Sequence, residues 1–276
     1  MNKITNMRDL TLFAPSNEAW ADSNLNNLIR NREKLREILN LHLVQERLPI
    51  DKIKENNMNQ LFQVATAADR KHLYFNIIRG DNGDNNITLT VEGGGVNATV
   101  IQPNIAATNG IVHIIDRVLG VPYTTVREKL ATDPMLNNTN FLGQQGGFNN
   151  ELGDMNKRFT YFVSQILERH LVVADRAYTM LDLKRIANGN GSIALPTVRD
   201  HLKLRIKESD KSYYVEWQGE WIHVFRPDVE CTNGIIHVID SVFLKAGDVR
   251  VSGGGVAVPL LAPQLAMLLM AKWLLL

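Results

Sequence analysis

The sequence predicts an α+β protein made of two tandem copies of one strand-rich domain. Three observations carry that reading. Residues 91–120, VEGGGVNATVIQPNIAATNGIVHIIDRVLG, align without a gap to residues 215–244, VEWQGEWIHVFRPDVECTNGIIHVIDSVFL, with an offset of 124 and 13 of 30 positions identical. A match of that length at fixed spacing marks two copies of one unit. Short runs with strand-like alternation, separated by turn formers, fill the second half of each copy, while helical spacing dominates the start of the first. Finally, 276 residues with 45% hydrophobic and 21% charged content make a folded chain long enough for two domains. The expected division is 1–125 for the first domain, 126–245 for the second and 246–276 for a C-terminal tail.

Two classes of partner or cofactor are disfavoured at once. The net charge of +1 gives no electrostatic footprint for nucleic acid. A single cysteine, Cys231, excludes an intrachain disulfide framework and a cysteine-rich zinc site. It aligns with Ala107, a place expected to hold a small, buried side chain.

Taken in order, copy one opens with a strand at Thr11–Ala14 and continues through helical patterns to about Val44. Strand-like runs follow at Leu61–Thr66, His72–Ile78, Ile87–Val91, Val96–Ile101 and Ile111–Leu119. The run GDNGDNN at 80–86 is dense in turn formers and fits a hairpin connection. Residues 133–154 are rich in Asn and Gly and read as a linker or a loosely structured start of copy two. Copy two then shows a helix at Tyr178–Ala187, ended by Asn188-Gly189-Asn190-Gly191, and strands at His201–Ile206, Tyr213–Trp217, Trp221–Phe225 and Ile235–Phe243.

The copies differ near their starts. Thr11-Leu12-Phe13-Ala14 corresponds to Thr160-Tyr161-Phe162-Val163, and His42-Leu43-Val44 to His170-Leu171-Val172. The interval from Thr to His is 31 positions in copy one and 10 in copy two, so copy two lacks a counterpart of Ser16–Arg36. In copy one this segment has a helix N-cap candidate, Ser16, and an apolar face from Trp20, Leu25, Leu28 and Ile29. Burying four such side chains is worth roughly 6 kcal/mol or more. Copy two is therefore expected to be destabilised or rearranged.

TLFAPSNEAW at 11–20 resembles the first signature of the fasciclin-type adhesion domain, and NGIVHIIDRVL at 109–119 and NGIIHVIDSVF at 233–243 resemble its second. The resemblance covers nearly all of residues 7–245. It implies two tandem domains, each a β-sandwich or wedge with packed helices, the second lacking a helical segment. The motif positions it singles out are Thr11, Phe13, Pro15, Asn109, Gly110, His113 and Asp116 in copy one, and Asn233, Gly234, His237 and Asp240 in copy two. The family's domain usually opens with helix before the first signature, whereas about ten residues precede it here. In copy two that signature stops at TYFVS.

The H-x-x-D pairs invite an acid–base or metal reading. On a strand, three positions put the two side chains on opposite faces, so they cannot converge. The expectation is that each orders local backbone. His42 and His170 sit where many family members carry a Tyr-His pair linked to integrin binding, but here Leu41 and Arg169 precede them. They read as packed helix-end histidines. No phosphate loop or nucleophile elbow is present. The resemblance implies neither catalysis nor a cofactor.

Four N-x-[ST] triplets, at Asn86, Asn97, Asn137 and Asn190, are candidate glycosylation sites, with Asn86, Asn137 and Asn190 in expected loops. The start, MNKITNMRDL, has no apolar h-region and does not read as a secretory signal. The tail runs from small residues at Ser252-Gly253-Gly254 through a short spacer to an apolar end from Leu260. That is the order of a glycosylphosphatidylinositol attachment signal, with Ser252 the preferred attachment residue and Gly253 next.

The resemblance implies a protein on the outer face of the plasma membrane, held there by a lipid anchor, that mediates homophilic cell–cell adhesion between neurons or epithelial cells. Other cell-surface or matrix molecules are further partners it allows. A matrix, glycan or small-ligand module is the alternative, with Trp217 and Trp221 expected on one strand face for stacking. A truncated product without function is another.

Overall fold

The computed structural model describes residue 4 and residues 7–22, 25–57, 62–79, 87–163, 168–198 and 200–243. In copy one, β1 (Leu10–Pro15) is followed by short helices α1 (Asn17–Trp20) and α2 (Asn26–Arg30) and the longer α3 (Arg32–Leu41). The Ser16 hydroxyl caps α1 by accepting from the Ala19 N–H, and the Asn31 side chain caps α3 in the same way through Lys34. Strand β2 (Leu43–Val44) and helix α4 (Ile50–Asn57) come next, then β3 (Gln63–Ala65), β4 (His72–Arg79), β5 (Ile87–Gly93), β6 (Val96–Ala107) and β7 (Gly110–Ile115).

Copy two begins with helix rather than linker, correcting the expectation for 133–154. Helix α5 (Val126–Thr132) is started by a reciprocal Thr125–Glu128 capping box, and α6 (Asn137–Gln145) lies between 3₁₀ turns at Pro134–Leu136 and Phe148–Gly153. These pieces are too short to show periodicity. They are held by Val126, Leu130, Leu136 and Leu152, buried against Phe159 and Tyr161. Then follow β8 (Arg158–Val163), a 3₁₀ turn at Glu168–His170, β9 (Leu171–Ala174), α7 (Met180–Asn190), β10 (Ile193–Pro196), β11 (His201–Ser209), β12 (Ser212–Trp217), β13 (Glu220–Cys231) and β14 (Gly234–Ile239).

The two sheets have one topology. The orders β2-β1-β7-β6-β5-β4-β3 and β9-β8-β14-β13-β12-β11-β10 superimpose strand for strand. In each, one parallel pair, β1 with β7 and β8 with β14, brings the two signatures side by side. Even the irregularities repeat. Register shifts between Val100, Gln102 and Ile105 in β6 recur between Val224, Arg226 and Val229 in β13, and Asn104 and Asp228 there have positive φ. The bulges and Pro103 hide the continuity of β6 from pattern reading, which ends it at Ile101.

Where copy one places three helices between β1 and β2, the described residues of copy two place a single 3₁₀ turn between β8 and β9. The helical segment of copy one carries its own cluster of Leu25, Leu28, Ile38 and Val118. Trp20 is half-buried and Ile29 is exposed, so the expected four-residue face is narrower. In copy two the Trp217 ring, 8% exposed, packs at 5.4 Å from Phe243 with the Arg169 guanidinium 5.7 Å over it. Phe243 also stacks on His170 at 4.7 Å.

Trp217 and Trp221 do not share a face. They lie on successive strands, with Trp217 turned into the core and Trp221 38% exposed, because the tight turn at Gln218-Gly219 separates them. Ala107 is exposed and Cys231 half-buried, so that position is not a buried one in both copies. Burial pushes the Cys231 thiol up to about 12, which keeps it protonated.

Candidate functional site

The signature residues converge on one backbone staple, built twice. The His113 ring accepts the Asn104 N–H at Nδ1 (3.2 Å) and reaches the Leu48 carbonyl with Nε2 (2.8 Å), so the proton sits on Nε2. The Asn104 side chain in turn accepts from the first N–H of α4, at Ile50 (3.0 Å). In copy two His237 accepts from Asp228 and reaches the Tyr178 carbonyl, and Asp228 accepts from Met180 at the start of α7. The positive φ at Asn104 and Asp228 suits short polar side chains that bond to nearby backbone. Sequence reading missed these two residues, and the signal available was their shared offset after the Pro103/Pro227 match.

The other motif residues tie the strands together. Thr11 donates to the Glu46 carbonyl and accepts from Leu48 N–H, and Thr160 accepts from Tyr178 N–H. Phe13 and Phe162 lie against His113 and His237, each at 5.2 Å. Pro15 ends β1. Asn109 and Asn233 donate to carbonyls of the segment before the first strand, Ile4 and Met7 in one copy, Leu152 and Asp154 in the other. Gly110 and Gly234 follow because a Cβ at either position would collide with the carbonyl oxygen of the neighbouring strand, Leu10 or Phe159.

Asp116 and Asp240 stay apart from these histidines: Asp116 accepts from Thr99 N–H, and Asp240 meets His223 at 2.9 Å. His113 and His237 are buried, and burial holds both below the ordinary imidazole range. Among the described residues, no three His, Cys, Asp or Glu side chains group as a metal site.

His42 is 1% exposed and is held by the Ile38 carbonyl on Nδ1 and the Leu119 N–H on Nε2. His170 accepts the Phe243 N–H in the equivalent place. Leu41 and Arg169 beside them are buried as well.

A third cluster joins the copies. Arg226, fully buried at the β13 bulge, contacts Glu92 of β5 at 2.9 Å and Asp133 at 2.8 Å. Lys129 meets Asp133 at 3.1 Å and Asn97 at 3.1 Å. Tyr74 of β4 lies under the Arg226 guanidinium at 5.3 Å and donates to the Phe225 carbonyl. Two cations and two carboxylates balance, as buried charges require. Burial alone would raise the Asp133 carboxyl, but Arg226 and Lys129 hold it well below the usual carboxylate range. Gly95 is needed at this seam, since a Cβ there would overlap the Glu230 carbonyl. Both repeats fall within one compact unit, Met1–Phe243.

Of the candidate glycosylation residues, Asn137 is exposed in the first turn of α6 rather than in a loop. Asn190 is exposed at the end of α7, and Asn97 is half-buried at the seam. Asn86, Ser252 and Gly253 lie outside the described residues, as does the expected turn at 80–86.

Comparison with known proteins agrees with this double architecture. The model of the fasciclin domain matches residues 1–122 and 150–245. The chain is 57% identical to fasciclin-1 of Schistocerca americana over 92% of its length and 42% of the relative's. It is 45% identical to fasciclin-1 of Drosophila melanogaster over 99% of its length and 47% of the relative's. It thus spans about half the length of these relatives. The Drosophila alignment runs over 307 positions, more than the chain contains, so part of the matched region has no counterpart here. Among solved structures, the FAS1 domain pair of the insect cell adhesion molecule fasciclin I matches with a TM-score of 0.83 and 47% identity, covering 90% of this chain and 92% of that one. With both signatures, the repeated staple and the paired sheets accounted for, this chain belongs to the fasciclin domain family, a family of adhesion rather than catalytic domains.

Proposed function

We propose that this chain is an adhesive domain pair of a cell-surface protein, making homophilic contacts between apposed cells, neuronal ones in particular. The observation that carries this is the buried seam around Arg226. It fixes two fasciclin domains as one body, which lets a binding face be presented at a set orientation instead of swinging on a linker. The similarity to an insect cell adhesion molecule over nearly the whole chain supports the same reading. Attachment to the outer face of the plasma membrane through a glycosylphosphatidylinositol group at Ser252 or Gly253 belongs to this proposal and rests on the order of the tail sequence. Glycans at Asn86, Asn97, Asn137 or Asn190 belong to it too.

A mixing assay tests it. Labelled cells displaying the chain behind an added secretion signal are combined with unlabelled cells that lack it. Clusters made of labelled cells alone, dispersed by enzymatic release of the lipid anchor, are the expected result. Surface display without clustering rejects homophilic adhesion, and mixed clusters point to a different partner on the bare cells.

A further inference from the structure

The repeat allows one sheet face to be compared in two settings. In copy one, the face of β4, β5 and β6 that carries Tyr74, Glu92 and Asn97 is covered by the Arg226 seam. The register places Arg205, Glu216 and Trp221 at the same positions in copy two. Among the described residues nothing covers that face there, and its chemistry has changed. Tyr74 and Asn76 are replaced by the cations Arg205 and Lys207, and Thr90 and Asn97 by the aromatics Tyr214 and Trp221.

These side chains form two cross-strand rows. One runs Arg205–Glu216–Trp221 and the other Lys207–Tyr214–His223. Lys207 Nζ lies 4.2 Å from the Trp221 ring centre and 5.2 Å from that of Tyr214, and Arg205 lies 5.9 Å from Trp221. The rings pin the cations, so a ligand meets charges already ordered. Lys203 extends the line along β11, and alternate strand positions set these cations about 6.7 Å apart. Two carboxylates share the face: Glu216, 3.6 Å from Arg205, and Asp240, paired with His223. Arg205 stays 62% exposed despite its pairing.

We infer that the β11–β13 face of the second domain binds an acidic polysaccharide. A linear sugar polymer with regularly placed sulfate or carboxylate groups matches a row of cations, and its apolar ring faces match the adjoining indole and phenol. A second fasciclin domain docking as Arg226 docks on copy one fits poorly, because its cation would meet Arg205 and Lys207.

The test uses the full chain and a heparin octasaccharide, with uncharged dextran as the reference sugar. Saturable binding to the octasaccharide but not to dextran is expected. Arg205→Ala with Lys207→Ala should weaken it ~10-fold or more and reduce its salt dependence. Trp221→Ala alters no charge, and it should weaken binding several-fold because it frees both cations. Lys34→Ala with Arg36→Ala, an equal loss of exposed charge in copy one, should leave binding unchanged. Melting curves check folding, and Trp221→Phe substitutes if the alanine variant unfolds. Absence of octasaccharide binding overturns the inference. So does an equal loss in the copy-one control, or full binding by the folded Trp221→Ala chain, since either means diffuse charge attraction.

Discussion

Gly93 and Trp217 occupy one position of the two repeats, and each answers to what stands above it. Both end the strand before a hairpin, paired across the turn with Val96 and Glu220. Above Gly93 in copy one sit Leu73 and Leu119, with α3 packing nearby through Ile38 and Leu41 onto Gly94 and Gly120. A Cβ on Gly93 would already come within 2.7 Å of Leu73. In copy two, whose sequence lacks a counterpart of Ser16–Arg36, the indole fills the space with Phe243 and Arg169.

Replacing Trp217 by Gly should therefore cost the second domain about 3–5 kcal/mol, the usual range for emptying an aromatic site. Denaturant unfolding of the full chain, followed by the remaining tryptophans, would show it as an early transition. An unchanged midpoint means the indole does not stand in for the missing helices.

The Arg226 seam predicts an asymmetry between substitutions. Arg226→Ala strands Glu92 without its cation in a buried site, leaving Asp133 with Lys129 alone, and should destabilise by about 3–5 kcal/mol. Combining it with Glu92→Gln should recover part of the loss, because Lys129 and Asp133 then remain as a balanced pair. Limited proteolysis between the domains provides a second readout. Cleavage should rise in the single variant and fall back in the double one. Equal cleavage in all three would sink the idea that the charge cluster holds the domains together.

Much of this architecture is legible in the sequence because repetition exposes it. The 13 matches between residues 91–120 and 215–244 include Asn109, Gly110 and His113, whose hydrogen bonds and close backbone approach are built again in copy two by Asn233, Gly234 and His237. Ser16 is visible as a cap because its bond, from the Ala19 N–H, is local. The seam is not legible, because Arg226 differs from its counterpart Gln102 only by a side chain, and its partners lie 93 and more positions away. Helix α4 escapes pattern reading because only Ile50 and Ile53 of its eight residues are buried. Trp217 and Trp221 mislead for a similar reason: their spacing fits one strand, but the Gln218-Gly219 turn, with both residues at positive φ, breaks it.

Glycan occupancy should follow exposure at the three described candidates. On chain secreted from cells, mass spectrometry should find Asn137 and Asn190 modified. Asn97 should be bare, since its side chain meets Lys129 inside the seam and a glycan there would part the domains. A substantial glycan at Asn97 would mean that the seam opens or forms differently in the secreted protein.

The buried histidines set the response to acid. Burial outweighs the hydrogen bond that His42 makes to the Ile38 carbonyl and lowers His42 to about 4, against an ordinary value near 6.5. Burial lowers His113 and His237 as well. Each is neutral in the fold, while the unfolded chain takes up protons below about pH 6.5. Stability is therefore complete above that value and falls as the pH drops toward 4, where His42 itself protonates and its loss levels off. For His42 alone the interval is worth on the order of 3 kcal/mol. Asp133 does not contribute to this window. Its folded value is depressed, so its support is present above the unfolded carboxylate range near pH 4 and is lost only below it. Urea midpoints between pH 7 and pH 4 should decline steadily, and His42→Gln should flatten that decline while lowering the midpoint at pH 7. If the variant keeps the full slope, His42 is not the group that couples folding to acid.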